Sequence, residues 1–136
     1  MAHQENFTIQ TSGRGMTEIT RKVQGIVADS GIQTGLCHIY QHHTSASLFI
    51  NENADPAVQA DLQRFMEKLV IDDDPDYSHR NEGPDDMSAH IRSVLTHNDL
   101  TVPVAQGQCA LGTWQGIFLW EHRAHAHSRK ITVTVL

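Results

Sequence analysis

The sequence predicts an α+β fold: a largely antiparallel β-sandwich with two to three packed helices. Strand-like apolar runs crowd both ends of the 136-residue chain, two amphipathic helical stripes lie in its middle, and no regular strand–helix–strand alternation is present. The length fits one domain, 1–136, with enough chain to bury a core without disulfide staples.

The elements follow in order. Residues 4–11, with the alternating pair Phe7 and Ile9, read as a strand, and Ser12-Gly13-Arg14-Gly15 as a turn. Ile19, Val23, Ile26 and Val27 have helical spacing over 18–29, with Thr17 or Thr20 as N-cap and Ser30-Gly31 as the stop. Residues 35–42 and 47–51 are strands. Asp55-Pro56 opens a helix with a carboxylate cap and proline at the first helical position. Its stripe of Val58, Leu62, Phe65, Met66 and Leu69 over 56–70 is expected to be core. The run 72–83 is a solvated acidic loop without the spacing or terminal glutamate of a calcium loop. A helix over 84–96 is expected to bury Met87, Ile91, Val94 and Leu95. The last forty residues supply strands around Leu100–Val104, Cys109–Leu111, Gly116–Trp120 and Ile131–Leu136, with a hairpin turn at Gln106-Gly107-Gln108.

Composition narrows the function. A net charge of −6 excludes the basic surface that nucleic acid needs. No run reaches the ~18 apolar residues of a membrane span. The N-terminus lacks a secretory pattern, so a cytoplasmic location is expected. Cys37 and Cys109 sit in apolar runs and are expected to be small buried side chains.

Histidine stands out: ten residues, equal to lysine and arginine together. His43, His79 and His90 fall on a strand end, the polar loop and a helix, a plausible facial set for a divalent metal with one open position. Asp86 lies four residues before His90 and shares its helix face. His122, His125 and His127 form a separate group, for which adventitious metal binding or solvation is the simpler reading. Gly112-Thr113-Trp114-Gln115-Gly116 could expose backbone N–H groups to a ligand, or be an ordinary turn. Glu82, Asp85, Asp86 and Glu121 are candidate acid/base groups; Arg123 and Arg129 are candidate anion clamps. A serine triad could be drawn from Ser45 or Ser47, but no nucleophile-elbow motif supports it.

Four motifs in order, His43-Thr-Ser-Ala-Ser-Leu, Asn51-Glu-Asn-Ala-Asp-Pro56, Glu82-Gly-Pro-Asp-Asp-Met-Ser-Ala-His90-Ile and Gly112-Thr-Trp-Gln-Gly-Ile, resemble the YjbQ-like family, also called secondary thiamine-phosphate synthase enzymes. The resemblance runs from about residue 5 to the C-terminus and is strongest to the bacterial branch with Asp-Asp-Met before the helical histidine. It implies a sandwich with packed helices, a homotrimer, a metal or active-site cluster at His43, His79 and His90, and a weak, secondary thiamine-phosphate synthase activity that does not fix the family's native substrate. On this reading His43, His90 and Glu121 are catalytic. Thr44, Ser45, Thr113, Gln115 and Arg129 hold a small phosphorylated metabolite. Imidazole ligands favour zinc, whereas diphosphate transfer usually employs magnesium. The alternatives are a metal-dependent hydrolase of a small phosphorylated or acylated metabolite, and a non-catalytic trimeric protein that binds a metal or small anion.

Overall fold

The computed structural model describes residues 1–136. Eight strands and three helices run in the order β1 (His3–Gln10), β2 (Gly15–Glu18), α1 (Thr20–Ser30), β3 (Thr34–Gln41), β4 (Ala46–Glu52), α2 (Pro56–Leu69), α3 (Asp86–Leu95), β5 (Asp99–Ala105), β6 (Gln108–Cys109), β7 (Gln115–Glu121) and β8 (Ser128–Val135). They form a five-stranded sheet, β1-β8-β3-β5-β6, and a three-stranded sheet, β2-β7-β4. Every pairing is antiparallel.

Alternation explains the first sheet. Cys37 and Ile39 of β3, Val102 and Val104 of β5, and Ile131, Val133 and Val135 of β8 all point inward. They meet Ala46 and Leu48 of β4, Ile117 and Leu119 of β7, and Val23, Ile26 and Val27 of α1. The outer face of that sheet is polar and carries cross-strand bonds such as Gln4 Nε2 to Thr134 Oγ1 at 2.8 Å. The small sheet is buried on both faces, so β4 and β7 read as continuous apolar runs and not as alternation. Its second face stacks Phe49 on Phe118, with ring centroids 5.0 Å apart, and packs Trp120 under Met66 and Val70. The layers are therefore the large sheet, the core with α1, the small sheet, and then α2 and α3.

Local chemistry accounts for most boundaries. Asp55 caps α2, its Oδ1 accepting from Ala57 N–H at 2.9 Å, with Pro56 at the first helical position. Gly31 ends α1 with φ of 70°. The β5–β6 hairpin turns at Gln106-Gly107, both at positive φ (54° and 77°), a pair suited to the right-handed twist of flanking strands.

Four expectations are corrected. Residues 15–18 are a strand pairing with β7, where a turn was expected to include Gly15. Ile19 occupies the N-cap of α1 without a side-chain bond; Thr20 is helical and instead accepts from Ile117 N–H at 2.9 Å. The apolar stripe of α2 is only partly covered: Met66 is buried, while Phe65 and Leu69 are exposed. Most sharply, α3 is rotated from the expected face: Met87 and Ile91 are half-buried, Ile91 against the second core cluster, but Val94 and Leu95 are not covered. It buries Asp86, Ser88, Ala89, Arg92 and Ser93, and leaves Val94 83 % and Leu95 56 % exposed. Its polar face is drawn inward by fixed partners: Ser93 Oγ donates to Ala46 O at 2.9 Å, and Arg92 Nη2 to Val70 O at 2.9 Å.

Candidate functional site

The site grows from the N-terminus of α3. Asp86 and His90, one turn apart, share a face as i, i+4 neighbours. That places His90 Nε2 3.0 Å from Asp86 Oδ2. The polar loop brings His79 to the same oxygen, its Nε2 donating at 2.7 Å. The loop is shaped by its own acidic residues: Asp76 N–H donates to Asp74 Oδ1 at 2.9 Å, and Arg80 reaches Asp73 Oδ1 at 3.1 Å. The His79 and His90 rings lie 5.4 Å apart.

His90 is held at both nitrogens. Its Nδ1–H donates to Thr44 O at 2.8 Å, and its Nε2 faces Asp86 Oδ2 at 3.0 Å. Two electron-rich atoms facing one another at that spacing are relieved only by a proton or a cation between them. One ligand atom from each of His79, Asp86 and His90 lies within 4.8 Å of the others, a set of two imidazoles and one carboxylate. This donor set fits a divalent transition ion with open positions. Burial would raise the pKa of Asp86, but the His79 hydrogen bond and the charges of His90 and Arg123 hold it below the usual carboxylate range. The carboxylate stays an anion, as a ligand must be.

His43 lies outside this cluster. Its Nε2 accepts from Lys130 N–H at 2.7 Å, and burial and the nearby Arg129 charge lower its pKa. It remains beside His90, because both line one cavity of about 590 Å³, together with Tyr40, His42, Thr44 and Asn98. The structure therefore exchanges Asp86 for His43 in the expected set of three.

Glu121, Arg129 and Ser45 form a second, closed centre. Arg129 Nε donates to Glu121 Oε1 at 2.8 Å, its Nη2 to Glu121 Oε2, and the same Nη2 to Ser45 Oγ at 2.9 Å. Thr11 Oγ1 donates to Glu121 Oε1 at 2.7 Å and Arg123 N–H to Oε2 at 3.1 Å. Burial alone would raise Glu121, but these donors hold its pKa below the ordinary value. Glu121 is 1 % and Arg129 3 % exposed. Arg129 is committed to Glu121 and Ser45 through Nε and Nη2, and both Glu121 oxygens accept from the chain's own donors. Its visible work is positional, since Ser45 precedes β4 next to Thr44, whose carbonyl orients His90.

Thr113 and Gln115 lie elsewhere. Gln115 opens β7 and Glu121 closes it, seven residues in all, which is about 20 Å of strand. Gln115 Oε1 accepts from Gly112 N–H at 2.7 Å, so the motif folds back on itself as a turn. A Cβ on Gly116 would meet Glu18 Oε2 at 2.7 Å, so that glycine admits the chain's own side chains and not a ligand. Trp114 beside it is 62 % exposed.

The C-terminal histidines separate. His125 and His127 sit in the loop between β7 and β8, with His127 Nδ1 donating to His125 O at 2.9 Å. His122 is fully buried, with Nε2 2.8 Å from Ser47 Oγ and Nδ1 unpaired. Burial and the Arg92 charge lower its pKa to about 3. Sequence reasoning missed three contributors. Thr11 and the buried face of Arg92 left no local signal. Arg123 was visible as a charge, but not as the partner of Asp85 and Asp86.

An antiparallel sandwich with α1 in its core, α2 and α3 on one side, and a histidine–carboxylate cluster at a helix start defines the class of protein. The chain matches the UPF0047 protein YjbQ-like family over residues 5–136, and it belongs to that family. It is 50 % identical to the UPF0047 protein sll1880 of Synechocystis sp. over 133 residues, covering 98 % of this chain and 90 % of that one. It is 45 % identical to the UPF0047 protein YjbQ of Salmonella typhimurium, covering 99 % and 98 %. Among solved structures, a YjbQ/UPF0047-family protein of Clostridium acetobutylicum superposes with a TM-score of 0.89 at 32 % identity, covering 97 % and 99 %. The conserved protein TT1486 of Thermus thermophilus gives 0.87 at 32 %, with the same coverage. No helix is long and apolar enough to cross a membrane.

Proposed function

We propose that the protein is a cytoplasmic, metal-dependent enzyme acting on a small metabolite, with one divalent ion held by His79, Asp86 and His90. The convergence of those three ligand atoms beside a cavity carries the reading. Two imidazoles favour zinc over magnesium, which prefers oxygen ligands and retains water. Bound there, the ion supplies Lewis acidity and a water whose pKa falls toward neutrality.

The chain's own residues do the rest. Thr44 O fixes the His90 ring through Nδ1, and Arg129 with Ser45 fixes the strand entry behind Thr44. His43 presents its ring to the cavity while its Nε2 stays bonded to the β8 backbone. Neutral donors around the cavity, Thr44 and Asn98 among them, bind and orient the substrate. Because two imidazoles and a carboxylate suit activation of water, hydrolysis of a small phosphorylated or acylated metabolite fits the site better than diphosphate displacement. The thiamine-phosphate synthase activity implied by the family resemblance is then a secondary use of the same centre. Exposed Phe65, Leu69, Val94 and Leu95 support association of copies, which we propose is the homotrimer.

The test is metal content on untagged protein purified without chelator, followed by a hydrolysis screen of phosphomonoesters, esters and amides. About one zinc per chain, absent from Asp86→Asn, and turnover lost with it, is expected. Chains that stay metal-free after incubation with zinc would end this reading in favour of a plain small-anion binder. Light scattering of the eluted peak reads the oligomeric state: a mass three times that of the chain is expected, and a monomer would remove the trimer.

A further inference from the structure

The two oxygens of Asp86 have different partners. Oδ2 faces the imidazoles, at 2.7 Å from His79 Nε2 and 3.0 Å from His90 Nε2. Oδ1 forms an ion pair with Arg123, 3.0 Å from its Nη1. The same guanidinium reaches Asp85 Oδ2 through Nε at 3.0 Å and the Glu82 carbonyl through Nη2 at 3.0 Å. One fork thus joins the polar loop, the start of α3 and the loop that follows β7. The fork is itself held from behind: Arg123 N–H donates to Glu121 Oε2 at 3.1 Å, and Ala124 N–H to Asp85 Oδ2 at 2.8 Å.

We propose that Arg123 is the positioning residue of the metal centre: by occupying Oδ1 it restricts Asp86 to one-oxygen ligation through Oδ2 and aims that oxygen at the point between His79 and His90. The inference rests on the metal reading above and deepens it. A free carboxylate can rotate and chelate an ion through both oxygens. A carboxylate paired at one oxygen with a fixed guanidinium cannot do so without giving up that ion pair. Lysine cannot replace the fork, because a single ammonium on a flexible stem does not span Asp85, Asp86 and a carbonyl at once. The closed Glu121–Arg129 centre thereby reaches the open one along a short covalent path, from Glu121 to the backbone of residue 123 and out along its side chain.

Cobalt(II) is the probe, since its visible absorption reports ligand number and geometry. Its affinity would be measured by competition with a chromophoric chelator for wild type, Arg123→Lys, Arg123→Gln and Asp85→Asn. Urea unfolding of each metal-free protein shows that it is folded. Both Arg123 variants are expected to bind cobalt about 10- to 100-fold more weakly, with altered band shape and intensity as Asp86 Oδ1 becomes free to ligate. Asp85→Asn removes the other half of the clamp but leaves Arg123 on Asp86, so the wild-type spectrum is expected to persist even at lower stability. Unchanged affinity and spectrum in Arg123→Gln would overturn the proposal. So would an Asp85→Asn spectrum altered like that of Arg123→Gln, which would make the clamp merely structural. If wild type binds no cobalt, the metal reading itself fails, a result distinct from either variant outcome.

Discussion

Two polar centres, each built around a buried carboxylate and joined through Arg123, have opposite character. At Glu121–Arg129 the two charges have met, and Thr11 and the Arg123 backbone N–H fill the remaining sites of the buried carboxylate. At His79–Asp86–His90 three ligand atoms converge beside a cavity that His90 lines, and His79 is half exposed. The first carboxylate is filled by fixed donors of the chain, whereas the second shares one oxygen between two imidazoles. Charge and burial alone therefore do not mark a functional group. A site of action is where donors and acceptors fail to balance among themselves.

The contrast can be broken most severely at the closed centre. Arg129→Ala strands a buried carboxylate, and Glu121→Ala strands a buried guanidinium. Either is expected to cost ~3–5 kcal/mol, since removing one partner leaves an uncompensated charge. Urea denaturation reads this directly, and a loss under ~1 kcal/mol would show that water reaches the pair. His90→Ala at the open centre should cost far less stability but abolish metal binding and turnover, while far-UV circular dichroism still shows the helix.

A smaller effect sharpens the comparison by pH. His122 is buried with its pKa lowered to about 3, against an ordinary value of 6.5. Between those values the unfolded chain binds a proton that the folded one refuses, so stability rises with pH across that window and falls on acidification. A single proton contributes a slope of ~1.4 kcal/mol per pH unit there. His122→Gln should remove that component from the pH dependence of unfolding; an unaltered slope would place the titration elsewhere. Asp55→Ala, which loses only a helix cap far from both centres, should cost ~1 kcal/mol and leave cobalt binding untouched. A change in metal affinity in that variant would mean the centres are less independent of α2 than their contacts indicate.

Much of this was legible along the chain. Alternation located β1, β3, β5 and β8, and the Asp55-Pro56 cap located α2. The i, i+4 spacing of Asp86 and His90 gave half of the open centre. β2 was missed because four residues, Gly15-Met16-Thr17-Glu18, carry too little pattern; only their pairing with β7 makes them a strand. The orientation of α3 was misread because apolar periodicity was equated with burial. Ser93 and Arg92 override it through bonds to carbonyls on other segments, and those bonds leave no trace in local spacing. His43 was grouped with His79 and His90 on residue type, and only the fold shows its nitrogen bonded to the β8 backbone. The closed centre was beyond reading in the same way, since Thr11, Ser45, Glu121 and Arg129 meet across separations as large as 110 residues.

The two tryptophans carry a practical corollary. Trp120 is sealed between Phe49 and the His122 ring, 5.1 Å away, with its indole N–H donating to Gln63 Oε1 at 2.8 Å. Trp114 stands in solvent at the other end of β7. The molecule thus contains two natural fluorophores in opposed surroundings at the two ends of one strand. A soluble quencher silences the outer one and leaves the inner one emitting. Intrinsic light from the protein can then report separately on the Gly112–Gly116 turn and on the wall behind the buried histidine, with no label attached.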